Sequence, residues 1–117
     1  MQNFSKEISN VREINNRITF DGNKMLHVLQ EIEFMLISLH KIGSYYFDKD
    51  ECEYAKETTS FIDNSLICER LAKIRTYISS EFDLREGEDE MDDIERACEK
   101  IKYWTKPGEF CQDKWLK

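Results

Sequence analysis

The sequence predicts an all-α fold: a single-domain irregular bundle of about five helices, spanning residues 1–117, around one central apolar helix. Three observations predict it. Apolar residues recur at steps of three and four in several separate segments, the spacing of one face of a helix. The chain has only 4 Gly and 1 Pro, too few to punctuate the many tight turns of an all-β fold. An apolar content of 40% supports a core, and 35% charged residues imply a strongly polar surface. A chain of 117 residues suits one compact domain and buries enough surface to fold without disulfides or metal.

Phe4, Ile8, Val11, Ile14 and Ile18 form the first stripe, so a helix is expected from about Ser5 to Thr19, capped by Asn3 or Ser5. Asp21-Gly22-Asn23 supplies a turn. The clearest element follows, from Asn23 or Lys24 to Ile42. It is apolar over more than one face, the mark of a helix touched by several others. Gly43 sits where a left-handed C-terminal cap is wanted, with Lys41 in the last turn.

Ser44 to Asp50 reads as a loop carrying Tyr45, Tyr46 and Phe47. Asp50 with Glu53 three residues later fits a capping box, which predicts a third helix from about Glu51 to Ile62. Asp63-Asn64-Ser65 is a break or a polar turn within a longer helix. Ile67, Leu71, Ile74 and Ile78 define a fourth helix from Leu66 to about Ser80. Met91, Ile94, Cys98, Ile101 and Thr105 predict a last long helix from Glu88 or Asp89, ended by Pro107-Gly108. The tail with Phe110, Cys111, Lys114 and Trp115 adds at most one turn against the body.

Met1 to Asn10 lacks the apolar run of a secretory signal, and Met25 to Ile42 is too interrupted by polar residues to span a membrane. The expected location is cytoplasmic. Cys52, Cys68, Cys98 and Cys111 are widely spaced, with no C-x-x-C. Neither a disulfide framework nor a zinc site is expected, and the thiols read as buried or half-buried. Cys98 and Cys111 bracket the proline and would meet if the tail folds back.

The charge is a block. Residues 81–99 hold ten acidic and two basic side chains, a local −8 against −7 for the whole chain, so the remainder carries +1. Glu86, Glu88, Asp89, Glu90, Asp92, Asp93 and Glu95 form its centre. Helix electrostatics alone favour such a start, and a surface for a basic partner is the functional reading. Because these residues begin a helix, they are expected to stay out of the core. The order Asp83, Arg85, Gly87, Asp89 lacks the alternating ligands of a calcium loop.

No residues are expected to be catalytic, and no cofactor or metal is implied. Glu31, Glu33 and His27 lie on the apolar helix, but the Glu-x-x-His pattern of di-metal bundles is absent. Gly-rich phosphate loops are missing too. Arg17 precedes His27 by ten residues across the Asp-Gly turn, unlike the Arg-then-His helix of small helical ribonucleases.

The expected function is therefore binding rather than catalysis: a small acidic inhibitor of the immunity or antitoxin type, neutralising a bacterial nuclease toxin by occluding its basic cleft. A nuclease must present basic groups to phosphates, so its inhibitor needs acidic groups on a rigid frame. The expected partner is a basic protein, with no direct contact to nucleic acid or membrane. Tyr45, Tyr46 and Phe47 are the second candidate surface, since Tyr is enriched among interface anchors. Two alternatives stand beside this reading. One is a phage- or mobile-element-encoded inhibitor of a host nucleic-acid-binding defence complex. The other is a non-enzymatic helical regulatory subunit.

Overall fold

The computed structural model describes residues 11–108, and it is helical, with no strand among the described residues. Four α-helices form: α1 (Gly22–Tyr45), α2 (Glu51–Asn64), α3 (Ile67–Ser80) and α4 (Asp93–Cys98). A short 3-10 turn covers Glu13–Asn15. The chain divides into two compact units: residues 18–82 with α1, α2 and α3, and residues 11–17 with 83–108.

In the three-helix unit, α1 starts because the Asp21 carboxylate accepts from Lys24 N at 2.9 Å, satisfying a free N–H of the first turn. It passes through Gly43 and ends at Tyr45. The expected stop at Ile42 with a left-handed Gly43 is corrected: Gly43 is helical, and Lys49 performs the capping. Its ammonium donates to the Tyr45 carbonyl at 3.0 Å and lies 4.3 Å from the Tyr45 ring centroid. Asp50 caps α2 through Cys52 N.

α2 then runs two residues past the expected Ile62 to Asn64, and the chain turns into α3 at Leu66. Leu66 adopts φ 55°, ψ 47°, the left-handed slot usually filled by glycine. The helices meet through Val28, Met35 and Ile67. Phe34 of α1 packs on Phe61 of α2 at 5.6 Å between centroids. Arg70 of α3 reaches Glu31 of α1 at 2.6 Å and stacks its guanidinium 4.5 Å from the Phe34 ring.

The expectation that α1 is central, covered on most sides, is corrected. Only Val28 and Met35 of α1 are buried, while Leu26, Leu29 and Leu36 are 51–61% exposed. Two partner helices shield one side of it only.

The second unit departs further from the sequence expectations. Of the helix expected over 5–19, the described part holds only the turn at Glu13–Asn15, and residues 1–10 lie outside the described residues. The reason is local competition. The Asn15 side chain and the Arg12 N–H are engaged by distant acidic groups, so they are not available to a helix. The last helix is also shorter than expected: it spans Asp93–Cys98 rather than beginning at Glu88 or Asp89 and reaching Thr105. Glu90 takes φ 65° and breaks any earlier helix. Beyond Cys98, Ile101, Tyr103 and Trp104 are 49–67% exposed on irregular chain, so the apolar spacing there does not mark a buried face.

Two cysteines differ from expectation: Cys52 and Cys68 are exposed on α2 and α3, whereas Cys98 is half-buried, as expected. Cys111, Phe110, Lys114 and Trp115 lie outside the described residues.

Candidate functional site

The acidic block folds around arginines rather than standing free. Asp93, the first residue of α4, is buried, with 5% of its surface exposed. One carboxylate oxygen accepts from Arg12 N at 3.0 Å and from Asn15 Nδ2 at 2.7 Å. The other accepts from Arg96 Nη1 at 2.6 Å and Arg12 Nε at 3.4 Å. Burial pushes the Asp93 pKa up. Hydrogen bonds from Asn15, Arg96 and Arg12, with the Arg12 charge, outweigh that push and lower it to about 2.

Asn15 is itself buried and acts as a clip. Its Nδ2 donates to the Asp83 carbonyl at 2.8 Å, and its Oδ1 accepts from Asp83 N at 2.8 Å. Arg85 grips the Asp83 carboxylate through Nε and Nη2, and Arg12 Nη2 adds 2.6 Å and 3.1 Å contacts to the Asp83 carbonyl and carboxylate. These donors hold the Asp83 carboxyl well below the usual carboxylate range, Arg85 contributing most.

Arg96 repeats the pattern on the next loop. It forks onto Asp89 at 2.6 Å and 2.9 Å and donates to the Met91 carbonyl at 2.9 Å. That fork drives the Asp89 pKa strongly down, and Asp89 with Asp93 stabilises the Arg96 cation further. Gly87 closes the loop: its N–H donates to the Met91 carbonyl at 2.9 Å, and a Cβ there would sit 2.9 Å from Arg96 Nη2. A side chain there would push the tip of the guanidinium aside.

Asp92 and Glu95 form a reciprocal capping box on α4. Asp92 Oδ1 accepts from Glu95 N at 2.8 Å, and Glu95 Oε1 accepts from Asp92 N at 3.0 Å. The same Asp-x-x-Glu spacing had pointed to Asp50 and Glu53 in the sequence. There the Asp50 carboxylate accepts from Cys52 N instead.

The candidate residues thus separate by role. Asp89, Asp92, Asp93 and Glu95 hold the unit together, and the expectation that all of them remain outside the core fails at Asp93. Glu86, Glu88 and Glu90 are exposed, and no hydrogen bond or ion pair engages their carboxylates among the described residues. Sequence reasoning missed Arg12, Asn15 and Asp83. Arg85 and Arg96, two cations inside an acidic run, were the available sign that the block would fold onto itself.

The aromatic candidates belong to the three-helix unit. Tyr45 closes α1, and its ring meets Tyr46 edge-on at 4.8 Å. Tyr45 is 61% and Phe47 88% exposed, while Tyr46 is half-buried. His40, Gly43, Ser44 and Phe47 line a shallow depression at that end.

A groove of about 540 Å³ between α1 and α3 is lined by His27, Glu31, Glu69, Arg70, Lys73 and Leu66, among others. It joins His27 and Glu31, but Glu33 does not line it. Glu31 is neutralised by Arg70, whose Nε also donates to the Ser65 carbonyl at 2.8 Å. Glu31 and Arg70 therefore tie α3 to α1, and neither is a free acid or base. Among the described residues, no group of three or more His, Cys, Asp or Glu gathers as metal ligands, and no helix is long and apolar enough to cross a membrane.

Comparison with protein families, with curated proteins and with solved structures returned no match to this chain.

Proposed function

We propose that this chain is a protein-binding inhibitor that presents Glu86, Glu88 and Glu90 to a basic partner, a nuclease toxin being the target class. The supporting observation is the division of labour within the acidic block. Arg12, Asn15 and Arg96 pin the loop at Asp83, Asp89 and Asp93, and the three intervening glutamates face solvent. A pinned loop loses little freedom on binding, which is how preorganisation adds affinity. Exposed carboxylates on it would steer a basic cleft into place. A nucleic-acid-binding defence complex would offer the same basic surface and is the alternative target.

Co-expression with a panel of nuclease toxin domains tests the reading, with survival as the readout. For a toxin that is neutralised, association is then measured for wild type and for Glu86→Gln, Glu88→Gln and Glu90→Gln combined. The combined variant should slow association on the order of tenfold at low salt, with the difference shrinking as the Debye length falls below about 10 Å. Survival with none of the toxins, or an association rate indifferent to both charge and salt, would overturn the proposal.

A further inference from the structure

Helix α1 carries two apolar seams, and among the described residues only one of them is covered. The inner seam runs through Val28, Glu31, Met35, Ser38 and Ile42, at steps of three and four, and faces α2 and α3. The outer seam runs through Met25, Leu29, Ile32, Leu36, Leu39 and Gly43, at steps of four and three. That is the a/d spacing of a coiled-coil seam, sustained over most of a 24-residue helix. Leu29 is 51%, Ile32 39%, Leu36 60% and Leu39 40% exposed, and Leu26 beside them is 61% exposed.

We infer that a second copy of this chain covers the outer seam, pairing α1 with α1 across a two-fold axis. Three properties of the seam select that occupant. The first is area. The five exposed aliphatic side chains offer on the order of 450 Å² of accessible surface, within the range of the largest patch on a typical monomer and continuous along one helix. Two copies would cover about 900 Å² of aliphatic surface, and the flanking side chains carry the total past the roughly 1,000 Å² a specific interface needs.

The second property is composition. None of the six seam positions is polar or charged. Such a strip resembles the cores of homodimer interfaces, which are more apolar than those of transient complexes between different proteins. The third is electrostatics. A chain of net charge −7 would resist self-association if the pairing face shared that charge. It does not: every outer-seam position is uncharged, Glu31 sits on the inner seam paired with Arg70, and the acidic block belongs to the other unit. Two copies of this helix meet as neutral partners, and a two-fold pairing sets the apolar strip against itself.

This inference is independent of the acidic loop, which lies in the other unit. Multi-angle light scattering and sedimentation equilibrium of the full chain test it across a concentration series from low to high micromolar. Wild type should have twice the monomer mass at the upper end. Leu29→Glu with Leu36→Glu should be monomeric. Leu29→Ala with Leu36→Ala preserves helix propensity and should weaken the dimer on the order of tenfold or more. Leu71→Glu, at an exposed site on α3, should leave the dimer intact. Circular dichroism confirms that each variant remains helical. A wild type that stays monomeric throughout overturns the inference, even if a heterologous protein occupies the seam. A dimer unaffected by the alanine pair does so as well.

Discussion

Asp93→Asn removes the charge of the buried carboxylate that joins both ends of the second unit. All four groups around Asp93 are donors: Arg12 N, Arg12 Nε, Asn15 Nδ2 and Arg96 Nη1. Each carboxylate oxygen serves two of them, so either orientation of the asparagine points its NH₂ at donors. Asn15 cannot turn over to help, because its amide already serves Asp83 at both ends. The folded Asp93 pKa of about 2 lies below its ordinary 3.8, so ionisation favours the fold. That difference is worth roughly 2–3 kcal/mol at neutral pH. The opposed donors add about 1 kcal/mol, giving a total loss of about 3–4 kcal/mol, in the range for a broken buried pair. Arg12 and Arg96 each retain a second carboxylate, Asp83 and Asp89, which prevents a larger loss. The stabilisation from ionisation is fully present above about pH 5, falls progressively below it and is nearly gone at pH 2, so the gap between wild type and variant should narrow by about 2 kcal/mol between pH 5 and pH 2. Urea titration followed by the NMR signals of Arg12, Asn15 and Asp93 reads the correct unit, since all three residues lie in it. A loss under about 1 kcal/mol at pH 7, or a gap that stays constant down to pH 2.5, would refute the burial and pairing argument.

Two further variants probe the three-helix unit. Leu66→Gly relieves a left-handed backbone that costs a non-glycine residue about 1–2 kcal/mol, against about 0.5–1 kcal/mol of added chain entropy. Loss of the half-exposed leucine side chain, about 1 kcal/mol, offsets the relief, so the net change expected is within about 0.5 kcal/mol with the thermal midpoint at 222 nm nearly unchanged, and a fall of several degrees would count against it. Glu31→Gln keeps a hydrogen-bond acceptor for Arg70 but loses the ion pair, which is over a third exposed on the Glu31 side. It should cost only about 0.5 kcal/mol in urea titration and leave partner binding unchanged. Loss of binding with an intact fold would instead mark the groove as functional.

How much could be read from the sequence follows the distance over which each element is decided. Helices α2 and α3 match their expected bounds within about two residues, and α1 within about three, because caps and periodicity act within one or two turns. The elements at either side of them were misjudged because their outcome is decided across the chain. Arg12 and Asp93 are 81 residues apart in sequence, yet their contact takes the backbone N–H that the expected first helix would have used, while the left-handed Glu90 stops the last helix from starting earlier. Charge counts carry no information about pairing, so they did not separate the paired aspartates of the acidic block from its exposed glutamates. Even so, the sequence held one unused sign. A stretch of surface carboxylates needs no arginine within it, whereas Arg85 and Arg96 sit at spacings that allow each to grip a block aspartate.

Helix α1 teaches the opposite lesson. Its apolar circumference suggested a helix surrounded by partners, yet periodicity cannot distinguish a seam buried by the same chain from one buried by another, because both remove the same side chains from water. Polarity along the two seams would even have chosen wrongly. The inner seam contains Glu31 and Ser38, and the outer seam contains no polar residue. The chain can cover the more polar seam because α3 supplies Arg70, whose guanidinium neutralises Glu31 and covers Phe34 at the same time. Among the described residues no such device lies on the outer seam, and none is required there if the opposing surface is an identical aliphatic strip.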